Sequence, residues 1–435
     1  AGDSTAQTYN YTKVYPQTGW GQVFADYFND DIIIENRAMG GRSSKSYDND
    51  GRLDRILTEM HPGDYVFIQF GINDGAENKP ERYISVEDYK KLITDKYIGE
   101  VEKRGGTPVL MTANAAAWWD EENNCFMESR KDYADPTREI AEETGCKFID
   151  ENKIVTDAWN SMDKDDVLSG YFVCEPLESK AYPSGTNDTT HMKAKGAKRV
   201  AKLIADAIPE NVPELAKYLK GDETFTDIQG HWAENVIKTL AESDKISGVG
   251  DGKFNPDGTV TRAEFLKMAM DSLGIVGHAY RDGECLDATN DDWYCYYLQG
   301  ALDKDIIPEE MIENCNVTKV TKTLAEATDD KKAVTTDVNV YTGKFDGDKP
   351  ITREEMAAIA VRCKNYKMRR LTDWDNERRY PIFSFKDSDE IDEKYISDVV
   401  EAYNLNYIDG MEHGRFAPKE NLTRAQAAVV MNNLK

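Results

Sequence analysis

The first half of this 435-residue chain alternates short apolar runs with segments long enough to form helices. Runs with the composition of strands are DIIIEN (31–36), DYVFIQF (64–70), TPVLMTA (107–113) and CKFID (146–150). Helical patterns follow at 86–104, 130–145 and 194–208. Strands separated by helix-length segments imply a parallel sheet with helices on both faces. Residues 1–208 are therefore predicted to form an α/β domain.

The second half has a different organisation, because one pattern occurs in it three times. A polar turn leads into a helix that carries an aromatic residue, a glycine-rich loop follows, and Thr-Arg-x-Glu or Thr-Arg-x-Gln opens another helix. The repeats are predicted at about 225–275, 286–366 and 383–435, and the longer second repeat indicates an insertion near 314–345. Residues 209–224 contain proline and glycine and are predicted to form a linker.

Charge and composition exclude several classes of protein. The net charge of −26 argues against a nucleic-acid partner, because a polyanion would be repelled. No apolar run reaches the roughly 18 residues that a membrane-spanning helix needs. The given chain also shows no signal peptide, which excludes nothing if its front has been processed or clipped. The seven cysteines are an odd number, so at least one has no partner within the chain, and none forms the CxxC spacing of a zinc site.

Catalytic chemistry is indicated by the motif GDSTA, which places Ser4 near the start of the chain. A serine hydroxyl needs a base before it acts as a nucleophile. Three of the five histidines lie in the repeats and His61 lies in a turn, which leaves His191 in the motif DTTH. Asp188 lies three residues earlier, a spacing that lets a carboxylate in a turn or early helix bind Nδ1 and leave Nε2 for the serine.

Acyl transfer also needs hydrogen-bond donors for an oxyanion. Backbone N–H groups of a tight glycine loop can supply them, and Gly40 and Gly41 lie in such a loop within NRAMGGRSSKSY. The side chain of Asn73, in FGINDG, follows the most apolar strand. An ordinary Asx turn is the alternative reading of that motif.

Together these four motifs resemble the SGNH (GDSL-type) hydrolase superfamily, and more closely the rhamnogalacturonan acetylesterases of carbohydrate esterase family twelve. The resemblance implies a three-layer α/β/α fold in which Ser4 is the nucleophile and its own N–H an oxyanion donor. It also implies that Gly41 and Asn73 supply the other donors and that Asp188 and His191 complete a triad. No metal or organic cofactor is implied.

Three further residues are candidates for contact with substrate. Trp118 and Trp119 lie on a loop after a strand, where aromatic faces stack on sugar rings, although one of them is equally expected to pack inward. Arg42 follows the glycine pair and is placed to meet a uronate carboxylate, with a structural salt bridge as the alternative.

In the repeats, each motif threonine is predicted to cap a helix with the Glu or Gln three positions later. Capping does not explain the recurring arginine, which at a helix N-terminus would be a good ligand for an anion. The repeats resemble the surface-layer homology domain, which forms an all-α pseudo-threefold assembly and binds secondary cell-wall polysaccharide. The resemblance implies that the sugar is contacted by Arg262, Arg353, Arg424, Trp232 and Trp293. For the aromatic residues, packing in the core is the alternative.

The sequence therefore predicts a secreted, cell-surface serine esterase that removes acetyl groups from a pectic polysaccharide and is anchored to the bacterial cell wall. The alternatives are an esterase for acetylated xylan or a lipid ester, and a wall-binding envelope protein without activity. Only Ala1 and Gly2 precede Asp3 of this motif. The resemblance places a central strand there, so we expect the chain to be a fragment whose first strand and signal peptide lie upstream.

Overall fold

The computed structural model describes residues 1–179, 181–221, 225–242, 245–278, 285–289, 291–325, 334–368 and 385–434. The chain divides into two compact units. The first comprises Ala1–Cys174 and Thr186–Gly221, and the second comprises Glu175–Gly185 and the chain after Gly221.

The first unit contains both strands and helices. Its strands are β1 (Gln17–Thr18), β2 (Tyr65–Gln69), β3 (Thr107–Met111), β4 (Trp119–Asp120), β5 (Cys125–Phe126), β6 (Lys147–Ile149), β7 (Tyr171–Cys174) and β8 (Thr186–Lys193). Its helices are α1 (Tyr11–Val14), α2 (Trp20–Val23), α3 (Ser44–Asn49), α4 (Arg52–Glu59), α5 (Val86–Leu92), α6 (Gly99–Lys103), α7 (Lys131–Thr144), α8 (Glu151–Asn160), α9 (Lys164–Leu168) and α10 (Ala194–Asn211). A π-helical segment, Ile93–Ile98, joins α5 to α6.

The predicted parallel sheet is confirmed in the order β2–β3–β6. Gly2 forms a further parallel bridge with Gln69 at the free edge of β2. Side chains of β3 alternate between two cores, because Val109 and Met111 pack with α8 and α10 whereas Leu110 packs with α4, α5 and α7. Helices therefore cover both faces of the sheet, as the three-layer prediction requires.

The predicted strand at 31–36 is not formed. Ile33 is 90% exposed, and none of the described residues pairs with this stretch in a ladder. Instead the stretch lines a groove of about 730 Å³ that also contacts Val66 and Phe67 of β2. Apolar, β-branched composition predicts the extended backbone, but a strand also needs a neighbour to complete its hydrogen bonds.

The end of the first unit lies beyond the predicted boundary at residue 208. Helix α10 continues through Pro209 to Asn211, and a 3₁₀ helix follows at Pro213–Tyr218. Val212 and Leu215 are buried in the same core as α10. Much of the predicted linker (209–224) therefore packs as part of the first unit, because its apolar side chains are spaced to face that core.

The second unit is built from helix pairs. Its helices are α11 (Glu234–Glu242), α12 (Arg262–Ser272), α13 (Cys295–Asp303), α14 (Arg353–Lys367), α15 (Ile396–Asn404) and α16 (Arg424–Asn433). The predicted capping boxes are confirmed at the start of α12, α14 and α16, where each N-cap threonine bonds the residue three positions on. None of the described helices in either unit is both long and apolar enough to cross a bilayer.

A ring of backbone hydrogen bonds joins the three repeats. The Val260 N–H donates to Leu422 O at 3.0 Å, the Leu422 N–H to Ile351 O at 3.0 Å, and the Ile351 N–H to Val260 O at 2.9 Å. Each of these residues lies just before the motif threonine of its repeat. The predicted pseudo-threefold arrangement is therefore present at the centre of the unit.

The prediction of an all-α second half is wrong for the insertion. Strands β9 (Glu313–Ala325) and β10 (Val334–Lys344) form an antiparallel pair there. Both strands are rich in threonine and valine, which favour strands because their branched side chains fit a pleated surface. Residues 326–333 of the predicted insertion lie outside the described part of the chain.

Candidate active site

Ser4 lies in a tight turn at the carboxyl end of the sheet. The Asp3 side chain closes this turn, because its Oδ1 atom accepts hydrogen bonds from the Thr5 N–H at 2.9 Å and from the Thr5 hydroxyl at 2.8 Å. The Tyr9 hydroxyl donates to the Ser4 carbonyl at 2.8 Å. Ser4 is largely buried, with 9% of its surface exposed.

Asp188 and His191 lie on a bulge of the antiparallel pair β7–β8. The pairing jumps from Tyr171 with Met192 to Phe172 with Asp188, so residues between them are looped out of the ladder. Asp188 Oδ1 closes the loop by accepting from the Thr190 N–H at 2.8 Å and the His191 N–H at 3.0 Å. The two residues lie in a strand bulge rather than in the expected turn or early helix, and the spacing of three does bring the carboxylate to Nδ1.

These residues form a continuous hydrogen-bonded chain. Asp188 Oδ2 lies 2.6 Å from His191 Nδ1, and His191 Nε2 lies 2.8 Å from Ser4 Oγ. Burial alone would raise the pKa of Asp188, but hydrogen bonds from the His191 ring and from the N–H groups of His191 and Thr190 lower it to about 2. Asp188 is therefore a carboxylate that fixes the proton on Nδ1 and leaves Nε2 as acceptor for the serine.

Donors for an oxyanion lie beside this chain. Gly41 has a φ of +70°, a conformation that favours glycine, and its N–H donates to no group among the described residues. The N–H of Ser4 is equally open within the described structure. Asn73 uses one amide hydrogen to bind Arg42 O at 3.0 Å, which leaves the other for a ligand.

The first half of the chain is similar in sequence to known proteins. Residues 1–199 match the model of the GDSL-like Lipase/Acylhydrolase family. The chain is 37% identical over 215 residues to a protein named probable rhamnogalacturonan acetylesterase YesY from Bacillus subtilis, which covers 48% of this chain and 91% of that protein. The chain belongs to the GDSL-like lipase and acylhydrolase family. It is accordingly an ester hydrolase of that family.

Two further similarities each cover about half of the chain. The chain is 32% identical over 213 residues to the rhamnogalacturonan acetylesterase RhgT of Bacillus subtilis, covering 48% of this chain and 88% of that protein. The crystal structure of Bacillus subtilis YxiM is 28% identical, with a TM-score of 0.40, and the match covers 50% of this chain and 55% of that chain. In the second unit, residues 224–266 and 384–428 match the S-layer homology domain.

The candidate substrate residues of this acylhydrolase have different environments. Arg42 binds Asp50 through Nε at 2.6 Å and Gly40 O through Nη1 at 3.3 Å, so the salt-bridge alternative describes it. Trp118 is 37% exposed with the guanidinium of Arg130 stacked 4.9 Å from its ring centre. Trp119 packs against Phe126 with ring centres 4.9 Å apart.

Sequence reasoning missed Arg82. Its Nη1 atom lies 3.5 Å from Asn73 Oδ1, and its guanidinium lies beside Gly41. The side chain therefore places positive charge at the oxyanion donors. Its surroundings in the sequence, NKPERY, contain no motif that marks it.

In the S-layer homology repeats, the motif arginines bind protein rather than solvent. Each is buried and donates to the carbonyl of a phenylalanine in the next repeat. These pairs are Arg262 with Phe345 O at 2.6 Å, Arg353 with Phe416 O at 2.7 Å, and Arg424 with Phe254 O at 2.8 Å. The prediction that they reach an anionic sugar is not matched by this placement, because each guanidinium faces a neighbouring repeat.

Sequence reasoning also missed the aspartate and the phenylalanine that recur around these arginines. Asp227, Asp287 and Asp387 accept from the N–H groups of the same three phenylalanines at 2.8–2.9 Å. Each phenylalanine peptide is thus held at both ends. The signal was available in the sequence, as a cation followed by phenylalanine ahead of each Thr-Arg motif.

The repeat aromatic residues fall into two classes. Trp232 is 66% exposed and Trp293 is 53% exposed, whereas Tyr395 at the equivalent position is 2% exposed. The two tryptophans are therefore open to a ligand, and the tyrosine packs in the core. Among the described residues, no cluster of His, Cys, Asp and Glu has an arrangement that could hold a metal ion.

Proposed function

We propose that this protein is a cell-surface serine esterase that removes acetyl groups from pectic polysaccharide, rhamnogalacturonan in particular, through an acyl-enzyme. The observation that carries the proposal is the hydrogen-bonded chain from Asp188 through His191 to Ser4. The names of the two Bacillus subtilis relatives support the substrate class.

In the first half of the reaction, Ser4 Oγ attacks the acetyl carbonyl carbon while its proton passes to His191 Nε2. The carbonyl oxygen becomes an anion and binds the N–H groups of Ser4 and Gly41 and the amide of Asn73. Preorganised donors of this kind typically contribute a factor of about 10²–10³ each to the rate. The tetrahedral intermediate collapses, the sugar oxygen leaves with the proton from His191, and the acetyl group remains on Ser4.

In the second half, a water molecule attacks the acetyl-serine carbonyl and gives a proton to His191 Nε2. The second intermediate uses the same oxyanion donors. Its collapse releases acetate, and Ser4 Oγ regains its proton from His191. Asp188 stays ionised throughout and stabilises the imidazolium formed in each half.

Acetate release from defined polymers tests the substrate. Acetylated rhamnogalacturonan and acetylated xylan are incubated separately with the full-length chain and with Ser4→Ala, and acetate is measured over time. We expect release from rhamnogalacturonan to be faster by at least about tenfold, a difference of roughly 1.4 kcal/mol in transition-state binding. Faster release from xylan would move the proposal to that substrate, and equal rates for Ser4→Ala would end it.

We also propose that the S-layer homology repeats bind cell-wall polysaccharide and so hold the esterase at the cell surface. Exposed aromatic rings are suited to stacking on sugars, and Trp232 and Trp293 provide them in two of three repeats. Co-sedimentation of the full-length chain with purified bacterial wall tests this. Retention should disappear when the wall is stripped of its secondary polysaccharide, and retention that is indifferent to stripping would contradict the proposal.

A further inference from the structure

Asp74 is a fully buried acid next to a residue that donates to the oxyanion. Its Oδ1 atom accepts from the Ser44 N–H at 2.8 Å and from the Ser44 hydroxyl at 2.5 Å. Its Oδ2 atom accepts from the Gly71 N–H at 2.9 Å. The carboxylate therefore joins the turn that follows β2 to the first residue of α3.

This connection lies directly behind the oxyanion donors. Gly71 begins the turn that carries Asn73, and Ser44 follows the loop that carries Gly41. A second connection runs in the opposite direction, because the Asn73 side chain donates to Arg42 O. Two adjacent side chains thus fix the separation of two loops that share no continuous element of secondary structure.

The hydrogen-bond donors around Asp74 match a carboxylate. Three donors converge on Asp74 and its two oxygens accept all of them, whereas an asparagine would present its NH₂ group to one of these N–H donors. The donors are neutral, so they compensate only part of the desolvation of the charge. What these contacts provide is a fixed geometry between the two loops.

We propose that Asp74 is a positioning residue for the oxyanion hole, whose carboxylate holds the Gly71 turn against Ser44 so that the Gly41 N–H and the Asn73 amide converge on one point. This inference rests on the catalytic mechanism proposed above. It adds a residue that does not contact substrate. Its effect is exerted through the two donors, and it therefore acts on the transition state rather than on substrate binding.

The test uses the full-length protein, an aryl acetate as substrate, and the variants Asp74→Asn, Ser44→Ala and Ser4→Ala. For Asp74→Asn we expect kcat to fall by about 10–100-fold, a loss comparable to one displaced oxyanion donor, with KM within about twofold of wild type. A boronic acid that forms a tetrahedral adduct with Ser4 should bind more weakly by the same factor as kcat/KM. Asp54→Asn, an exposed acid in α4, is the matched control and should leave all three values unchanged.

Every result of these experiments either supports or overturns the proposed role of Asp74. Asp74→Asn that folds and keeps its kcat and boronate affinity overturns the inference, even if its melting temperature falls. If Asp74→Asn does not fold, Ser44→Ala is the second test, because it removes only the hydroxyl contact to Asp74. A kcat reduced by about threefold or more in Ser44→Ala supports the inference, and an unchanged kcat overturns it. If wild type hydrolyses the ester no faster than Ser4→Ala, the proposed mechanism is overturned and this inference with it. If Ser4→Ala loses activity but Asp74→Asn keeps it, only the role of Asp74 is overturned.

Discussion

The Nε2 atom of His191 lies 2.8 Å from the Oγ atom of Ser4, although 187 positions separate the two residues in the chain. The serine comes from a turn at the edge of the parallel sheet, and the histidine comes from a bulge in a separate antiparallel pair. Their approach therefore depends on the packing of the whole first unit rather than on any local motif.

Asp188→Asn should lower kcat by about 10⁴-fold and leave KM nearly unchanged. An amide in place of the carboxylate no longer fixes the proton on His191 Nδ1, and a proton on Nε2 prevents that atom from accepting from Ser4. Steady-state kinetics with an aryl acetate measures the effect, and Asp206→Asn on the exposed surface of α10 is the control. A loss smaller than about tenfold would argue against the assigned role.

The stability of the protein should fall as pH rises from about 4 to about 7, to the extent that Asp74 contributes. Burial raises the pKa of Asp74 to about 7, hydrogen bonds from Ser44 and Gly71 oppose the shift, and the charge of Asp3 adds to it. The folded state then binds a proton that the unfolded state has already lost. The phenols of Tyr89, Tyr97 and Tyr133 also face this carboxylate, and its charge contributes to raising their pKa values.

Urea unfolding at several pH values measures this linkage in wild type and Asp74→Asn. The difference in unfolding free energy between wild type and variant should decrease steadily across that interval. A difference that stays constant with pH would contradict the raised pKa of Asp74.

The three-layer architecture could be predicted from the sequence because apolar runs mark strands buried in the sheet and the segments between them mark helices that cover its faces. Sequence reasoning paired Asp188 with His191 by eliminating the other histidines and by their place near the end of a domain that opens with GDS, and the two side chains do lie in contact. It missed Arg82 because proximity to Asn73 arises only in the folded chain. It also placed the motif arginines toward solvent, since a sequence shows that a cation recurs but not which way it points.

Arg353→Ala should lower the unfolding free energy by about 2–4 kcal/mol, because two carbonyls of the next repeat lose their donor in a buried site. Nε binds Phe416 O at 2.7 Å and Nη2 binds Asp409 O at 2.9 Å. The matched control is Lys319→Ala, an exposed cation in β9 whose ion pair with Asp337 is expected to contribute about 0–1 kcal/mol. If denaturant unfolding shows that both substitutions lower the unfolding free energy equally, the hydrogen bonds of Arg353 do not stabilise the contact with the next repeat.

Trp232→Ala and Trp293→Ala should weaken retention on bacterial wall and leave the melting temperature within about 2 °C of wild type. Both rings are largely exposed, so little packing is lost. Tyr395→Ala provides the contrast, because that side chain is buried and its removal should lower the melting temperature. Unchanged wall retention in the double tryptophan variant would place the binding surface elsewhere.

The central claim is that Ser4 is the nucleophile of an esterase, and trapping of the acyl-enzyme tests it most directly. Full-length protein is mixed with an aryl acetate, quenched in acid within the first turnover, and digested for mass spectrometry of the N-terminal peptide. The account predicts one acetyl group on Ser4 in the wild-type protein, and none in Ser4→Ala. His191→Ala should carry little or no acetyl group in the same time, because it lacks the base that activates Ser4. Turnover of the ester with acetyl found on another residue, or an equal rate in Ser4→Ala, would contradict the account.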